Sequence, residues 1–461
     1  MGWPYHSEIE TSALRERLIA LGIAKAGTIY APAPTLAHTI DPNSGQFATA
    51  RAIFPTDKEF QDELARRVSA AFENHFVDKR VLETCQIPFS ERLVRYSNAT
   101  RSFGQEDPAA FTAYFTLART TKLPESFDSE LEGVDPAFRV ILDMVRSEMR
   151  QHHGPQDVWL WISVSTTIYA GFVGLAHLNT FGIASNLLPA GKRQLYISMV
   201  NHLYASSWDV LKTGTICCPE PEPFRNPQDY FVPPARKLPL NDAEQTRFAL
   251  FRSAIELIKN DGPEALSLSS VAARIGLHSS NFLPFIEMER SLESQVEEFL
   301  NLYVKSIFIE QARLLQPELP PYLHGTLPGV AYASLAMIDP LTFQVLSTIA
   351  SGSIVPIEFD TELGDLEMGD ALKALFTIVE KNIVLGGGPT DSWSLFETTV
   401  SLWATVHGLA MLMSCGALSE LEENLRFDLI RTGVDVSSSG MVRRWGLHLP
   451  GVTDQFHQVN R

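Results

Sequence analysis

A run of short polar side chains occupies residues 278–281, where the sequence reads His-Ser-Ser-Asn. Asparagine pairs with adenine in the major groove of DNA, and histidine and serine hydrogen-bond to several bases. The guanidinium of Arg274 and the hydroxyls of Ser267 and Ser269 precede this run and suit contacts with DNA phosphates. The candidate DNA-contacting residues of this stretch are Ser267, Ser269, Arg274, His278, Ser279, Ser280 and Asn281.

A second set of candidate residues lies in an apolar segment, residues 393–416. Trp403 and His407 are one helical turn apart and therefore share a face. They could line an apolar ligand pocket with few polar anchors. The alternative is that the histidine is hydrogen-bonded inside a helical bundle and the aromatic side chains belong to the core. The candidate ligand-binding residues are Trp393, Phe396, Trp403, His407 and Met411.

No arrangement of residues indicates catalysis. The sequence has no nucleophile–base set, Gly-rich phosphate loop or paired-carboxylate motif that stands out. Its four cysteines lack the spacing of metal ligands. We therefore expect no catalytic residue, no metal site, no cofactor and no enzyme activity.

The polar run lies in a segment with the outline of a helix-turn-helix. Apolar residues at helical spacing predict a first helix: Phe248, Phe251, Ile255 and Ile258. Gly262 ends this helix, and Ser267 is a suitable N-cap for a short second helix. Gly276 then allows a sharp turn, and residues 278–285 are predicted to form a third short helix.

This segment resembles the tetracycline-repressor (TetR) family of transcriptional regulators. The family's characteristic positions are matched without a gap by Ser267, Val271, Ala272, Gly276, Leu277, Ser280, Asn281, Phe282 and Leu292. Four positions depart from the pattern: Leu283, Pro284, Ile286 and Glu289. Glu289 stands where the family usually has a lysine that contacts phosphate.

A second resemblance to the same family lies downstream. Trp403, His407 and Gly408 match W-x-x-x-H-G, the signature of one group of TetR ligand-binding domains. The resemblance implies that a small apolar or amphipathic effector binds in the helical bundle and changes the spacing of the headpieces. It also implies a four-helix bundle, which the last helices of two subunits form in the homodimers of that family.

The chain contains an internal repeat. Without gaps, 157–182 aligns with 391–416, and 17–47 aligns with 252–282 at almost the same displacement. Chance similarity between helical segments is the alternative explanation. We predict two tandem units separated by a linker that holds seven prolines. The predicted parts are a degenerate headpiece (1–70), a helical domain (71–213), the linker (214–240), a second headpiece (241–300) and a second helical domain (301–461).

The first headpiece is predicted to carry three helices, near residues 12–26, 36–40 and 43–52. Pro32 and Pro34 stand in place of the polar cap of its second helix, and Asp41 and Pro42 in place of the glycine turn. The candidate DNA-contacting residues here are Asn43, Ser44, Gln46, Arg51 and Lys58.

The charge balance argues against general affinity for nucleic acid, because the chain carries a formal charge of −17. Residues 241–300 hold five Lys and Arg against ten Asp and Glu, whereas residues 11–70 hold seven against six. This asymmetry suggests that one headpiece has lost its contact with DNA. We therefore expect any DNA binding to be weak, with the two halves reading different half-sites.

Two uncharged stretches, residues 158–191 and 398–418, are long enough to be considered as membrane spans. Both contain hydroxyl and histidine side chains, so helices that are buried on several faces explain them better. Small residues at Ala170 and Gly174, and at Ala404 and Gly408, would let another helix approach closely. With no signal-peptide pattern at the start and no disulfide pattern, a reduced, cytoplasmic protein without membrane contact is expected.

The sequence therefore predicts an all-α protein of two tandem TetR-like units, each with a helix-turn-helix headpiece and a helical ligand-binding or dimerisation bundle. Because both halves of a dimer interface are present, we expect a monomeric chain with an internal pseudo-two-fold axis. The predicted function is a bacterial transcriptional regulator that binds a double-stranded DNA operator and a small-molecule effector. The alternative is a ligand-binding or interaction protein that has kept the fold and lost the operator.

Overall fold

The protein is helical throughout the part of the chain that the computed structural model describes. That part comprises residues 4–27, 34–76, 82, 86–117, 121–185, 187–214, 216, 242–262, 265–287, 290–314, 323–349, 370–414 and 416–448. Within these residues every regular element is a helix, which confirms the all-α prediction. The predicted linker falls almost entirely outside the described residues.

The helices of the first half are α1 (Pro4–Ala26), α2 (Leu36–Thr39), α3 (Gly45–Ile53), α4 (Asp57–Asn74), α5 (Phe89–Glu106), α6 (Pro108–Thr116), α7 (Pro136–Gln151), α8 (Val158–Thr180) and α9 (Pro189–Thr213). Those of the second half are α10 (Asp242–Asp261), α11 (Leu268–Arg274), a 3₁₀ helix (Ser279–Phe285), α12 (Leu292–Leu314), α13 (Leu323–Ile338), α14 (Pro340–Ile349), α15 (Asp370–Leu385), α16 (Ser392–Ser414) and α17 (Glu423–Trp445).

Four helices of the first half recur in the second half at one constant spacing. Helices α5, α7, α8 and α9 begin at residues 89, 136, 158 and 189, and α13, α15, α16 and α17 begin at 323, 370, 392 and 423. The displacement is identical for all four pairs, since 323 − 89, 370 − 136, 392 − 158 and 423 − 189 are equal. We call this displacement the repeat offset; it also relates 157–182 to 391–416 in the amino-acid sequence. The sequence repeat is therefore accompanied by a repeat in helix positions.

The centre of the fold is a bundle of four long helices, α8 and α9 from the first half and α16 and α17 from the second. Helix α8 packs along α16, and α9 packs along α17. Both α8 and α16 are buried over most of their length. By length and composition α8 could cross a membrane, as could residues 326–338 and 340–346 taken together, but 83% of the α8 window is buried inside the protein.

Helices α8 and α16 cross at two glycines, as their small residues predicted. A Cβ atom on Gly174 would lie 1.9 Å from the Ala404 carbonyl oxygen, and a Cβ on Gly408 would lie 1.9 Å from the Ala170 carbonyl oxygen. Only glycine permits so close an approach of two backbones. The repeat offset converts each contact into the other, so the crossing is reciprocal.

Polar contacts join α9 to the second half around one buried ion pair. Arg444 on α17 pairs with Glu397 on α16 and also donates to Ser198 Oγ on α9 at 2.6 Å. Further along α9, His202 Nε2 lies 3.0 Å from Ser437 Oγ. Burial raises the pKa of the Glu397 carboxyl against the opposing effect of Arg444. The halves are thus joined by specific hydrogen bonds as well as by apolar packing.

The first headpiece, α1–α3, is built with caps that the sequence interpretation missed. Thr35 Oγ1 accepts a hydrogen bond from the His38 N–H at 3.2 Å, so a polar cap of α2 is present directly after the two prolines. The turn to α3 lacks glycine, but Asp41 Oδ1 accepts from the Asn43 N–H at 2.9 Å and supports it.

Candidate functional site

The first headpiece presents one face of α3 to solvent. Asn43 and Gln46 are exposed, whereas Ser44 is half-buried at the N-cap position and its hydroxyl donates to the Asp41 carbonyl at 2.7 Å. Both candidate cations are engaged by carboxylates: Arg51 pairs with Asp57 at 3.1 Å, and Lys58 pairs with Asp62 at 3.2 Å. Asn43 and Gln46 are therefore the candidates here that are exposed and outside ion pairs.

The second headpiece has the predicted cap, turn and third short helix. Ser267 Oγ accepts from the Ser270 N–H at 3.1 Å, and Gly276 has a φ of +70° at the turn. The predicted third short helix is present as a seven-residue 3₁₀ helix. Pro284 lies inside it and cannot donate the backbone hydrogen bond that an α-helix would need. The segment is held to the core by buried Phe282.

The polar residues of this 3₁₀ segment are partly committed to each other. His278 Nδ1 lies 2.8 Å from Ser280 Oγ and accepts from the Ser280 N–H, so the imidazole caps the helix. Ser279 is half-buried, whereas Ser269 and Asn281 are exposed. Two leucines on the same segment, Leu277 and Leu283, are each 45% exposed.

Three arginines of the second headpiece are paired with carboxylates. Arg274 lies 3.5 Å from Glu256 and 3.7 Å from Asp261. Arg252 pairs with Asp339, and Arg290 pairs with Glu287 and Glu298. A DNA phosphate would have to displace these carboxylates from the guanidinium groups. Glu289, which stands in place of the family's lysine, lies outside the described residues.

A small cavity lies between α12, α13, α15, α16 and α17 of the second half, next to the predicted Trp403. Its volume is about 30 Å³, which is room for one or two water molecules. Its lining residues are Phe308, Gly329, Tyr332, Leu375, Val379, Asn382, Leu402, Trp403, Val406, Val434, Ser437, Ser438 and Met441. We call this space the Asn382 cavity.

Asn382 is the unusual group in this cavity. Its side chain is 1% exposed, and neither Nδ2 nor Oδ1 has a hydrogen-bond partner. The two serines nearby are already bonded: Ser437 to His202 at 3.0 Å and Ser438 to Thr326 Oγ1 at 3.2 Å. A buried amide without partners is unfavourable for folding, which marks Asn382 as a candidate binding group.

A chain of buried hydrogen bonds runs from this cavity to the first half. Tyr332 Oη lies 3.0 Å from His407 Nδ1, and His407 Nε2 lies 3.1 Å from His177 Nδ1 on α8. Burial lowers the pKa of His177 to about 4. Burial, with His177 beside it, also holds the pKa of His407 well below its usual range. Both imidazoles are therefore neutral near pH 7 and available as hydrogen-bond links.

The predicted ligand-binding residues divide into two groups. Trp403 lines the Asn382 cavity, and together with His407 it also lines a second space of about 10 Å³ that Leu178 of α8 borders. In the part of the chain that the structure describes, Trp393, Phe396 and Met411 line neither space. Phe396 is fully buried with its ring centroid 5.5 Å from that of Trp393, so this pair belongs to the core.

Asn382 was missed, although the sequence holds a signal for it. The buried residues of α15 recur at helical spacing, at 371–372, 375, 379 and 382–383. Asn382 is the polar member of this otherwise apolar stripe, and a polar residue on a buried face needs a partner. Tyr332 was missed as well, because nothing local in α13 links it to His407.

Neither a protein-family model nor a curated protein matches this chain. The resemblance to the TetR family therefore rests on the residues quoted above, and a function has to be argued from the contacts.

Proposed function

We propose that this chain is a DNA-binding transcriptional regulator of the TetR type in which one chain supplies both halves of the dimer. The reciprocal crossing of α8 and α16 at Gly174 and Gly408 is the observation that supports this most strongly. In that family, the last helices of two subunits form a four-helix bundle. Here α8, α9, α16 and α17 of one chain make such a bundle.

Contacts between equivalent positions support the same proposal. His202 and Ser437, which are hydrogen-bonded, are separated in the chain by nearly the repeat offset. In a two-fold symmetric dimer, residues on the axis contact their own copies. A pseudo-two-fold axis near this point accounts for the contact, and a duplicated sequence accounts for the constant spacing of the helix starts.

The first headpiece is the better candidate for DNA contact. Its third helix, α3, is a regular α-helix with exposed Gln46 in its first turn and exposed Asn43 just before its N-cap, whereas the equivalent segment of the second headpiece is a 3₁₀ helix. Recognition helices contact base edges with residues near their N-terminus, where these two side chains lie. We therefore propose asymmetric binding in which the first headpiece dominates.

Effector control would begin at the Asn382 cavity. Tyr332 lines that cavity and starts the hydrogen-bond chain that reaches His177 on α8 through His407. A ligand that moved Tyr332 or Trp403 would change contacts at the crossing of α8 and α16. Such a ligand shifts the protein between two states only by binding them with different affinity.

A protein-interaction role is the second candidate. The ion-paired arginines of the second headpiece, Arg252, Arg274 and Arg290, and its exposed Leu277 and Leu283 favour it. Exposed apolar side chains beside ion-paired arginines suit a protein surface better than a phosphate backbone.

DNA retention at two salt concentrations separates the two candidates. Fragments of the source genome, including the region upstream of the protein's own gene, are incubated with the chain at about 50 mM and 200 mM salt. We expect retention of specific fragments at low salt and loss at high salt. Gln46→Ala should weaken retention more than the comparison variant Asn281→Ala in the second headpiece. If no fragment is retained at low salt, the interaction role replaces the regulator.

A further inference from the structure

Asn382 has a counterpart in the first half whose polar side chain does have a partner. The repeat offset aligns Asn382 with Glu148 and Thr326 with Arg92 in the sequence. The helices that carry these residues, α7 with α15 and α5 with α13, have starts displaced by the same offset, since 370 − 136 equals 323 − 89. The helices of the two halves therefore correspond in order and spacing, and Asn382 and Thr326 stand at the positions of Glu148 and Arg92.

In the first half, a planar cation of the chain itself occupies this place. Arg92 is fully buried and its guanidinium pairs with Glu148. The same group donates to the Met144 carbonyl at 3.2 Å and to Ser147 Oγ at 2.9 Å. Buried charges require such pairing, and the guanidinium satisfies the carboxylate.

In the second half, both members of this pair are changed. The carboxylate has become the neutral amide of Asn382, and the long arginine has become Thr326, which bonds to Ser438 at 3.2 Å. No hydrogen bond joins Thr326 to Asn382, because Nδ2 and Oδ1 of Asn382 have no partner, and the cavity of about 30 Å³ lies beside this amide. The first half thus carries its own planar partner, and the second half lacks one.

We infer that the Asn382 cavity binds one small ligand per chain through an uncharged carboxamide, of the primary or lactam type. The inference rests on the proposed function, because it names the ligand class of the effector cavity. The lining contains no Asp, Glu, Lys or Arg among the described residues, so a charged ligand group would be buried without a counter-ion. A carboxamide gives both atoms of Asn382 a partner: its carbonyl accepts from Nδ2, and its N–H donates to Oδ1.

The rest of the ligand should be apolar and flat. The walls around Asn382 are aromatic and aliphatic, with the Trp403 ring centroid 6.1 Å from Phe308 and 6.0 Å from Tyr332. The present volume of about 30 Å³ is smaller than a carboxamide with an attached ring, so the ligand has to displace surrounding side chains. Met441, which is unbranched and flexible, is part of the same lining.

Calorimetric titration of the full chain with benzamide tests the inference without DNA. We expect one site per chain and at least tenfold weaker binding of benzoate, which is charged, and of acetophenone, which cannot donate. Asn382→Leu should weaken benzamide binding at least tenfold, whereas the control Asn98→Leu, on an exposed position of α5, should not. Because no DNA is present, this result is independent of the DNA-retention test.

A second variant guards against misfolding of the first. Thr326→Arg combined with Asn382→Glu recreates the pair of the first half and should abolish benzamide binding while the unfolding midpoint is retained. The inference is overturned if benzamide does not bind, if it binds Asn382→Leu with unchanged affinity, or if benzoate binds equally well. It is also overturned if a crystal soaked in benzamide holds only water beside Asn382.

Discussion

Substitution of Gly408 by alanine would disrupt the contact that joins the two halves. The new Cβ would lie 1.9 Å from the Ala170 carbonyl oxygen and 2.6 Å from its carbon. A carbon–oxygen contact needs roughly 3.3 Å, so α8 and α16 would have to separate by about 1.4 Å. Overpacking of this kind lowers the free energy of unfolding by about 1–3 kcal/mol, whereas alanine, as the better helix former, raises it by about 1 kcal/mol. Because both backbones are rigid and buried, we expect a net loss of about 2 kcal/mol.

Urea denaturation followed by tryptophan fluorescence measures this loss, with a matched glycine as control. Gly45 opens α3, and no atom outside its chain neighbours and its own helix backbone lies within 4 Å of an added Cβ, so Gly45→Ala should not destabilise the protein. Gly174→Ala should cost as much as Gly408→Ala, because the two contacts are reciprocal. The reasoning is refuted if Gly408→Ala unfolds at the same urea concentration as Gly45→Ala.

Three further substitutions or conditions give measurable changes in stability. Since burial keeps the pKa of His177 at about 4 against 6.5 in the unfolded chain, the unfolded state binds the extra proton as pH falls from 6.5 to 4. The free energy of unfolding should therefore fall by about 2 kcal/mol between pH 7 and 5 from this residue alone, and a pH-independent urea midpoint would contradict it. Arg92→Leu leaves the buried Glu148 carboxylate without its arginine, although His152 Nε2 stays 3.0 Å from it, and should cost about 3–5 kcal/mol. The double variant Arg92→Leu with Glu148→Leu should recover most of this loss, as measured by thermal unfolding. Asn382→Leu removes an unpaired buried amide and should stabilise the ligand-free protein by about 1–3 kcal/mol, whereas a lower melting temperature would show that the amide has a partner.

The sequence predicted the elements that depend on local pattern. The uncharged stretches proved to be the buried helices α8 and α16, and the small residues at Gly174 and Gly408 mark their crossing. Helical periodicity and the size of the side chains are properties of a short segment, so they can be recognised without knowing the fold. The short helix predicted after Gly276 is present too, and Pro284 inside it accompanies its 3₁₀ form.

The site was harder to predict because its partners are far apart in sequence. Periodicity places Trp393, Phe396 and Trp403 on a buried surface, but it does not distinguish a cavity wall from the core. Arg92 and Glu148 are 56 residues apart, and Tyr332 and His407 are 75 apart, so neither pair has a local signal. The repeat aligns Asn382 with the carboxylate of Glu148, but only the structure shows that Arg92 is the partner of Glu148.

The mass of a chain–DNA complex tests the central claim most directly. A duplex of about 30 base pairs, taken from a fragment retained at low salt, is long enough for two headpieces in successive major grooves. Light scattering of the complex should give one chain of 51.2 kDa per duplex, and the free chain should keep that mass on dilution. Two chains per duplex, or a free protein that never falls below two chains, would contradict the single-chain pseudo-dimer. Absence of any complex at low salt would contradict the regulator itself.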